Sequence, residues 1–160
     1  MDTLTFLYRR RFHFLDPEHY FAWAEHLLNA GHESDSVVQL LGCPDMHWQN
    51  RNRCIECILS ELGIEADDIT TMFILEWQER EVIKKFLIGE ISAEETIHRG
   101  QKIAFDSGFQ DQFITWEYLD EDLFLLAESG QSVFFNLKIN DLDNSLRKIL
   151  QKEGKLPISD

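Results

Sequence analysis

Apolar residues recur every three or four positions through most of this chain, and Pro and Gly punctuate the runs. At 3.6 residues per turn such positions share one face, so the spacing predicts amphipathic helices. Asp16-Pro17-Glu18 reads as an N-cap, a first-turn proline and a first-turn acid; Phe21, Ala24, Leu27 and Leu28 follow, with a stop at Gly31. Residues 34–41 form a short second helix ended by Gly42 and Pro44, and Asp45 is placed to cap a third, with Trp48, Ile55, Ile58, Leu59 and Leu62 on one stripe before Gly63. A fourth opens at Asp67 or Asp68 and runs to Ile88; residues 72–77 are apolar on every side, which fits either the most buried helix or a short strand. Ser92-Ala93-Glu94-Glu95 is a capping box for a fifth helix, and Gly100 inside it predicts close packing against a neighbour. Residues 109–129 are a sixth helical stretch with a break expected at Asp120. Asp141 or Asp143 starts the last, through Leu142, Leu146, Ile149 and Leu150.

Two segments depart from helical spacing. Residues 5–14 and 132–139 alternate in strand fashion, the second as Val133, Phe135, Leu137 and Ile139 against Ser132, Asn136 and Lys138. The expected fold is therefore all-α, a single helical domain over residues 1–160 with about six to seven helices, leaving open a short two-stranded β element. Hydrophobic residues make up 44% of the chain and aromatics 12%, enough for a core and too many for disorder. No apolar run approaches the ~18 to 20 residues needed to cross a bilayer, and the N-terminus lacks the apolar stretch of a signal peptide. Three cysteines, an odd number, point to a reducing compartment rather than a disulfide framework. The expectation is a cytoplasmic protein, monomeric or weakly dimeric.

Charge changes the picture. The net charge is -14, and it is unevenly placed. Between Lys102 and Lys138 there is no Lys or Arg, while Asp106, Asp111, Glu117, Asp120, Glu121, Asp122 and Glu128 all fall there. The stretches from Asp16 to Asp45 and from Glu56 to Glu79 follow the same rule. Positive charge gathers at Arg9-Arg10-Arg11, at Arg51 and Arg53, from Arg80 to Lys102 and in the last helix. Such a distribution attracts and steers basic partners, and it argues against nucleic acid, whose recognition rests on Lys and Arg.

The catalytic signatures fail in turn. Cys43, His47, Cys54 and Cys57 are residue types that zinc favours, but Cys54 and Cys57 fall inside a predicted helix that cannot wrap a metal as a tight turn does. His19 and His26 are seven residues apart, not the four of a helical metal motif. Asp120-Glu121-Asp122 lacks the frame of a calcium loop. Neither a nucleophile elbow nor a phosphate-binding glycine motif occurs. The expectation is a binding protein, not an enzyme, with no cofactor or metal. Its partner surface is expected at Asp111, Glu117, Asp120, Glu121 and Asp122, with Trp116 and Tyr118 as aromatic anchors among those acids.

Residues 20–31, containing Trp23-Ala24-Glu25-His26-Leu27-Leu28-Asn29-Ala30-Gly31, together with the short helix after them, resemble the opening of small bacterial immunity-type proteins encoded beside polymorphic or contact-dependent toxins. Those open with a W-A-x-x-L-L-x-x-G helix. Leu87-Ile88-Gly89-Glu90-Ile91 with Glu94-Glu95 is similar to their L-x-G-x-I-x-P-x-E segment, and Leu119-Asp120-Glu121 to a later F-x-x-L-D-D/E stretch. The pattern is departed from at Gly42-Cys43-Pro44, and residues 133–139 have no counterpart in it. The resemblance implies a helical protein that binds and neutralises a cognate toxin inside the producing cell; the charge distribution independently points to a basic partner, of which a nuclease toxin is one example. Two alternatives stand beside it: a cytosolic adaptor or regulator with no toxin partner, and a Cys/His metal-binding protein.

Overall fold

The computed structural model describes residues 1–43, 45–64 and 69–156, and these contain eight α-helices and no strand. In chain order they are α1 (Thr3–Phe12), α2 (Pro17–Asn29), α3 (Asp35–Gly42), α4 (Trp48–Glu61), α5 (Thr71–Leu87), α6 (Ala93–Asp106), α7 (Ile114–Ser129) and α8 (Leu142–Lys152). The chain groups into two compact units, Met1–Ile74 and Leu75–Asp160.

The all-α expectation holds, and of the predicted caps those at Asp16 and Ser92 do their work, while Asp141 precedes α8 without a side-chain cap bond. Asp16 and His19 close a reciprocal capping box at the start of α2, with Pro17 in the first turn. Ser34 accepts from the Val37 amide at α3, and Ser92 from the Glu95 amide at α6. Gly31 takes φ +86° after α2, a left-handed conformation that stops a helix cheaply only in glycine. The cap expected at Asp45 is instead His47, whose Nδ1 accepts from the Gln49 amide at 3.4 Å. The Asp67 or Asp68 cap and the helix-ending Pro44 lie outside the described residues. Thr70 Oγ1 accepts from the Phe73 amide at 3.1 Å at the start of α5.

Both segments read as strand candidates are something else. Residues 5–12 belong to α1. Asp2 accepts from the Thr5 amide at its start, and Arg9, Arg10 and Arg11 fill its last turn, where cations suit the helix dipole. Its Phe6 is wholly buried and stacks on Trp23 at 3.9 Å between centroids. Residues 132–138 are irregular and lead into a 3-10 turn at Ile139–Asp141. Asn136 has φ +55°, which no strand accommodates and which asparagine tolerates better than most residues. The break expected at Asp120 does not occur either: α7 is continuous through it, and begins only at Ile114.

In the first unit, Phe6, Trp23, Ala24, Leu27, Val37, Leu40, Ile55 and Ile58 make one buried cluster from α1 to α4. In the second, α6 packs along α7 and also touches α8. The contact turns on Gly100. A Cβ placed there falls 2.2 Å from Trp116 Cδ2 and 2.3 Å from its Cε3, so the indole lies directly on the α6 backbone. Trp116 is in turn fixed at its other edge: its indole N–H donates to Glu79 Oε1 at 2.6 Å. Lys155 Nζ donates to the same oxygen at 2.5 Å and to the Gln112 carbonyl at 2.8 Å.

Candidate functional site

Helix α7 carries four of the five acids singled out as the partner surface, Glu117, Asp120, Glu121 and Asp122, and its 3.6-residue period sorts them. Glu117, Glu121, Phe124 and Glu128 follow at four-, three- and four-residue steps, which puts them on one face. Glu121, Phe124 and Glu128 are exposed, and Glu117 is half-buried with Gln101 Nε2 donating to it at 3.0 Å. Asp120, three residues after Glu117 and four before Phe124, lies at the α6 edge of that face. Its carboxylate accepts from His98 Nδ1 at 2.6 Å, so Nδ1 carries the proton. Asp111 lies ahead of α7 and lines a separate cavity of about 500 Å³ with Glu76, Glu153 and Lys155.

Two of the expected partner-binding residues do not reach the surface. Trp116 is wholly buried as the wedge between Gly100 and Glu79, so its indole is core and not an anchor. Asp122 is wholly buried as well. Its Oδ1 accepts from the amides of Val133 and Phe134, its Oδ2 from the Phe135 amide at 2.8 Å and the Ser132 hydroxyl at 2.6 Å. Burial alone raises its pKa, but those four donors prevail and hold the carboxyl below the ordinary 3.8. Asp122 is thus a latch between α7 and the following loop. Of three adjacent acids only Glu121 is exposed.

Tyr118 does reach the surface, and it has company that periodicity concealed. Its ring stacks on Phe134 at 5.0 Å between centroids and 25° between planes. Tyr118 is 40% exposed, Phe134 45% and Val133 64%. The loop residues Ser132, Val133 and Phe134 therefore join the site although strand-like alternation pointed elsewhere. A serine ten residues beyond an aspartate in an all-acidic stretch is too weak a signal to reveal the latch.

The cysteine-histidine set occupies the first unit. Cys43, His47, Cys54 and Cys57 line a cavity of about 680 Å³ with Met46 and Arg53. Among the described residues no group of three or more His, Cys, Asp or Glu side chains is placed to hold a metal ion. Burial, with the neighbouring Cys57 and Cys43, raises the Cys54 thiol, and its Sγ lies 3.6 Å from Gln39 Oε1. Cys43 and Cys57 are exposed. An aromatic disulfide reagent at pH 8 is expected to label two thiols rapidly and Cys54 only on a slower phase; three equal rates would contradict this burial.

No helix among the described residues is long and apolar enough to cross a membrane. Comparison with protein-family models, curated proteins and solved structures finds no match for this chain.

Proposed function

We propose that this chain is an immunity-type protein that binds and neutralises a cognate bacterial toxin with a basic, nuclease-type surface, through the acidic face of α7 and inside the producing cell. The observation that carries the reading is the exposed stripe of Glu121, Phe124 and Glu128 with Glu117 at its head, in a stretch without a single Lys or Arg from residue 103 to 137. A surface of one sign accelerates encounter with a partner of the other, and an apolar ring within it supplies contact once the charges have aligned. An inhibitor of this kind needs no reactive group, because it acts by covering a basic patch.

Reversing the exposed Glu121 and Glu128 to Lys tests the reading, with Glu117 left intact because Gln101 donates to it and Asp122 because it holds the loop. Association with the partner captured from the native host is expected to slow by about 10- to 100-fold and to lose most of its salt dependence. Thermal stability should scarcely move. Association that is unchanged at low and high salt would reject the acidic face and favour an adaptor that docks through apolar contacts.

The thiol-lined cavity favours a second reading, a Cys/His metal-binding protein. Elemental analysis of purified chain decides it, since stoichiometric metal lost on replacing Cys54 and Cys57 by Ser would establish that site.

A further inference from the structure

The loop over residues 132–137 turns apolar side chains outward, and a buried carboxylate holds it in that shape. Three successive amides, of Val133, Phe134 and Phe135, point at Asp122. The Ser132 hydroxyl donates to the same carboxylate and accepts from the Leu137 amide at 2.7 Å. Leu137 is buried, which fixes the far end of the loop to the core. A segment tied at this many points loses little conformational freedom when something binds it. Its exposed residues are the ones suited to an anchor: Phe134 stacked on Tyr118, with Val133 beside it in sequence. Rigid, half-exposed aromatics are the side chains that dominate binding energies, because their contact area comes at low entropic cost.

The charges around the pair select its occupant. Glu121 lies one turn of α7 beyond Tyr118, Glu117 precedes it directly, and the nearest lysine in the loop is Lys138. A second copy of the chain would bring the same carboxylates against these and be repelled, and nucleic acid would be repelled by them also. A basic segment gains twice, from ion pairs with the glutamates and from a guanidinium or ammonium over the ring faces. We infer that Tyr118, Val133 and Phe134 form a preorganised docking site for a protein segment that presents an apolar side chain flanked by Lys or Arg. The sign of the partner rests on the acidic-face reading above; the position of the anchor does not.

Panning a random dodecapeptide display library against the purified full-length chain tests this. Enriched peptides are then titrated against wild type, Tyr118→Ala, Phe134→Ala and Glu121→Lys, with light scattering on each protein. The expected result is a consensus of one apolar residue between basic ones, weakened about tenfold or more by either aromatic truncation through faster dissociation. Glu121→Lys should act on association instead. Tm should be unchanged throughout, since none of these side chains is buried. Basic peptides that bind Phe134→Ala as tightly as wild type would overturn the anchor and leave the acidic reading standing. Apolar peptides without Lys or Arg that are lost in Phe134→Ala would overturn the occupant, and the acidic reading with it. A dimer abolished by Phe134→Ala would make the occupant a second copy, and a library with no enrichment would overturn the site.

Discussion

Truncation of Asp122 to alanine is expected to destabilise the protein by about 3–5 kcal/mol, because four part-buried donors lose one buried acceptor pair at once and each group left without a partner costs about 1–3 kcal/mol when water does not replace it. The total stays below the sum because part of the loop relaxes toward water. At this chain length the loss corresponds to a fall in Tm of about 10 °C. Asp122→Asn keeps the shape and one acceptor, and should lose about half as much. The sign with pH follows from the pKa. The folded state holds the carboxyl below 3.8, so it binds fewer protons than the unfolded chain as the solution is acidified. Its contribution is fully present above that ordinary value and disappears as pH falls through the lower, folded one. Urea denaturation of wild type and Asp122→Asn at pH 7 and pH 3 checks this: the gap between them should narrow in acid. Equal midpoints at pH 7 would show that the loop does not depend on the latch.

The second large effect is at Gly100, where alanine should destabilise although helix propensity predicts the reverse. An exposed helical Gly→Ala gains up to about 1 kcal/mol. Here the new methyl would sit 2.2 Å from Trp116 Cδ2. The indole cannot yield, since its N–H is held at 2.6 Å by Glu79 and the ring belongs to the second unit's core. Overpacking of this kind costs about 1–3 kcal/mol after the helix has shifted, and Gly100→Val should cost more. Combining Gly100→Ala with Trp116→Phe should recover part of the loss, because the smaller ring vacates the benzo edge. A Gly100→Ala protein as stable as wild type would mean that α6 and α7 are not in this contact.

Gly100 is also where sequence reading succeeded most directly. A glycine in the middle of a helix with a good cap has few reasons to be there, and close approach is the commonest. The helices whose ends carry Asp-Pro, Ser or Gly were legible for the same reason: capping is local chemistry. Failures came where tertiary context reassigns a local pattern. Alternation in residues 132–139 suggested two faces of a strand, yet one buried carboxylate gathers three consecutive amides there, which no strand permits. Residues 5–12 looked extended because their arginines interrupt the apolar spacing, whereas Asp2 and the dipole favour a helix. At the site, Glu117, Tyr118, Asp120, Glu121 and Asp122 could be placed on one helix from spacing alone, whereas Asp111 falls before α7 begins. That Trp116 and Asp122 point inward depends on where α6 and the loop lie, and no single-helix period contains that.

Glu79 has one further consequence. Its side chain is only 12% exposed, and the cation that neutralises it, Lys155, arrives 76 residues later in the chain. During synthesis that carboxylate and the Trp116 indole leave the ribosome well before their counter-ion does. The described core of residues 1–74, with Phe6, Trp23, Leu40 and Ile58, is wholly made by then. The second unit is therefore completed last, and a nascent chain stalled before residue 155 lacks the lysine that the finished structure sets against that carboxylate.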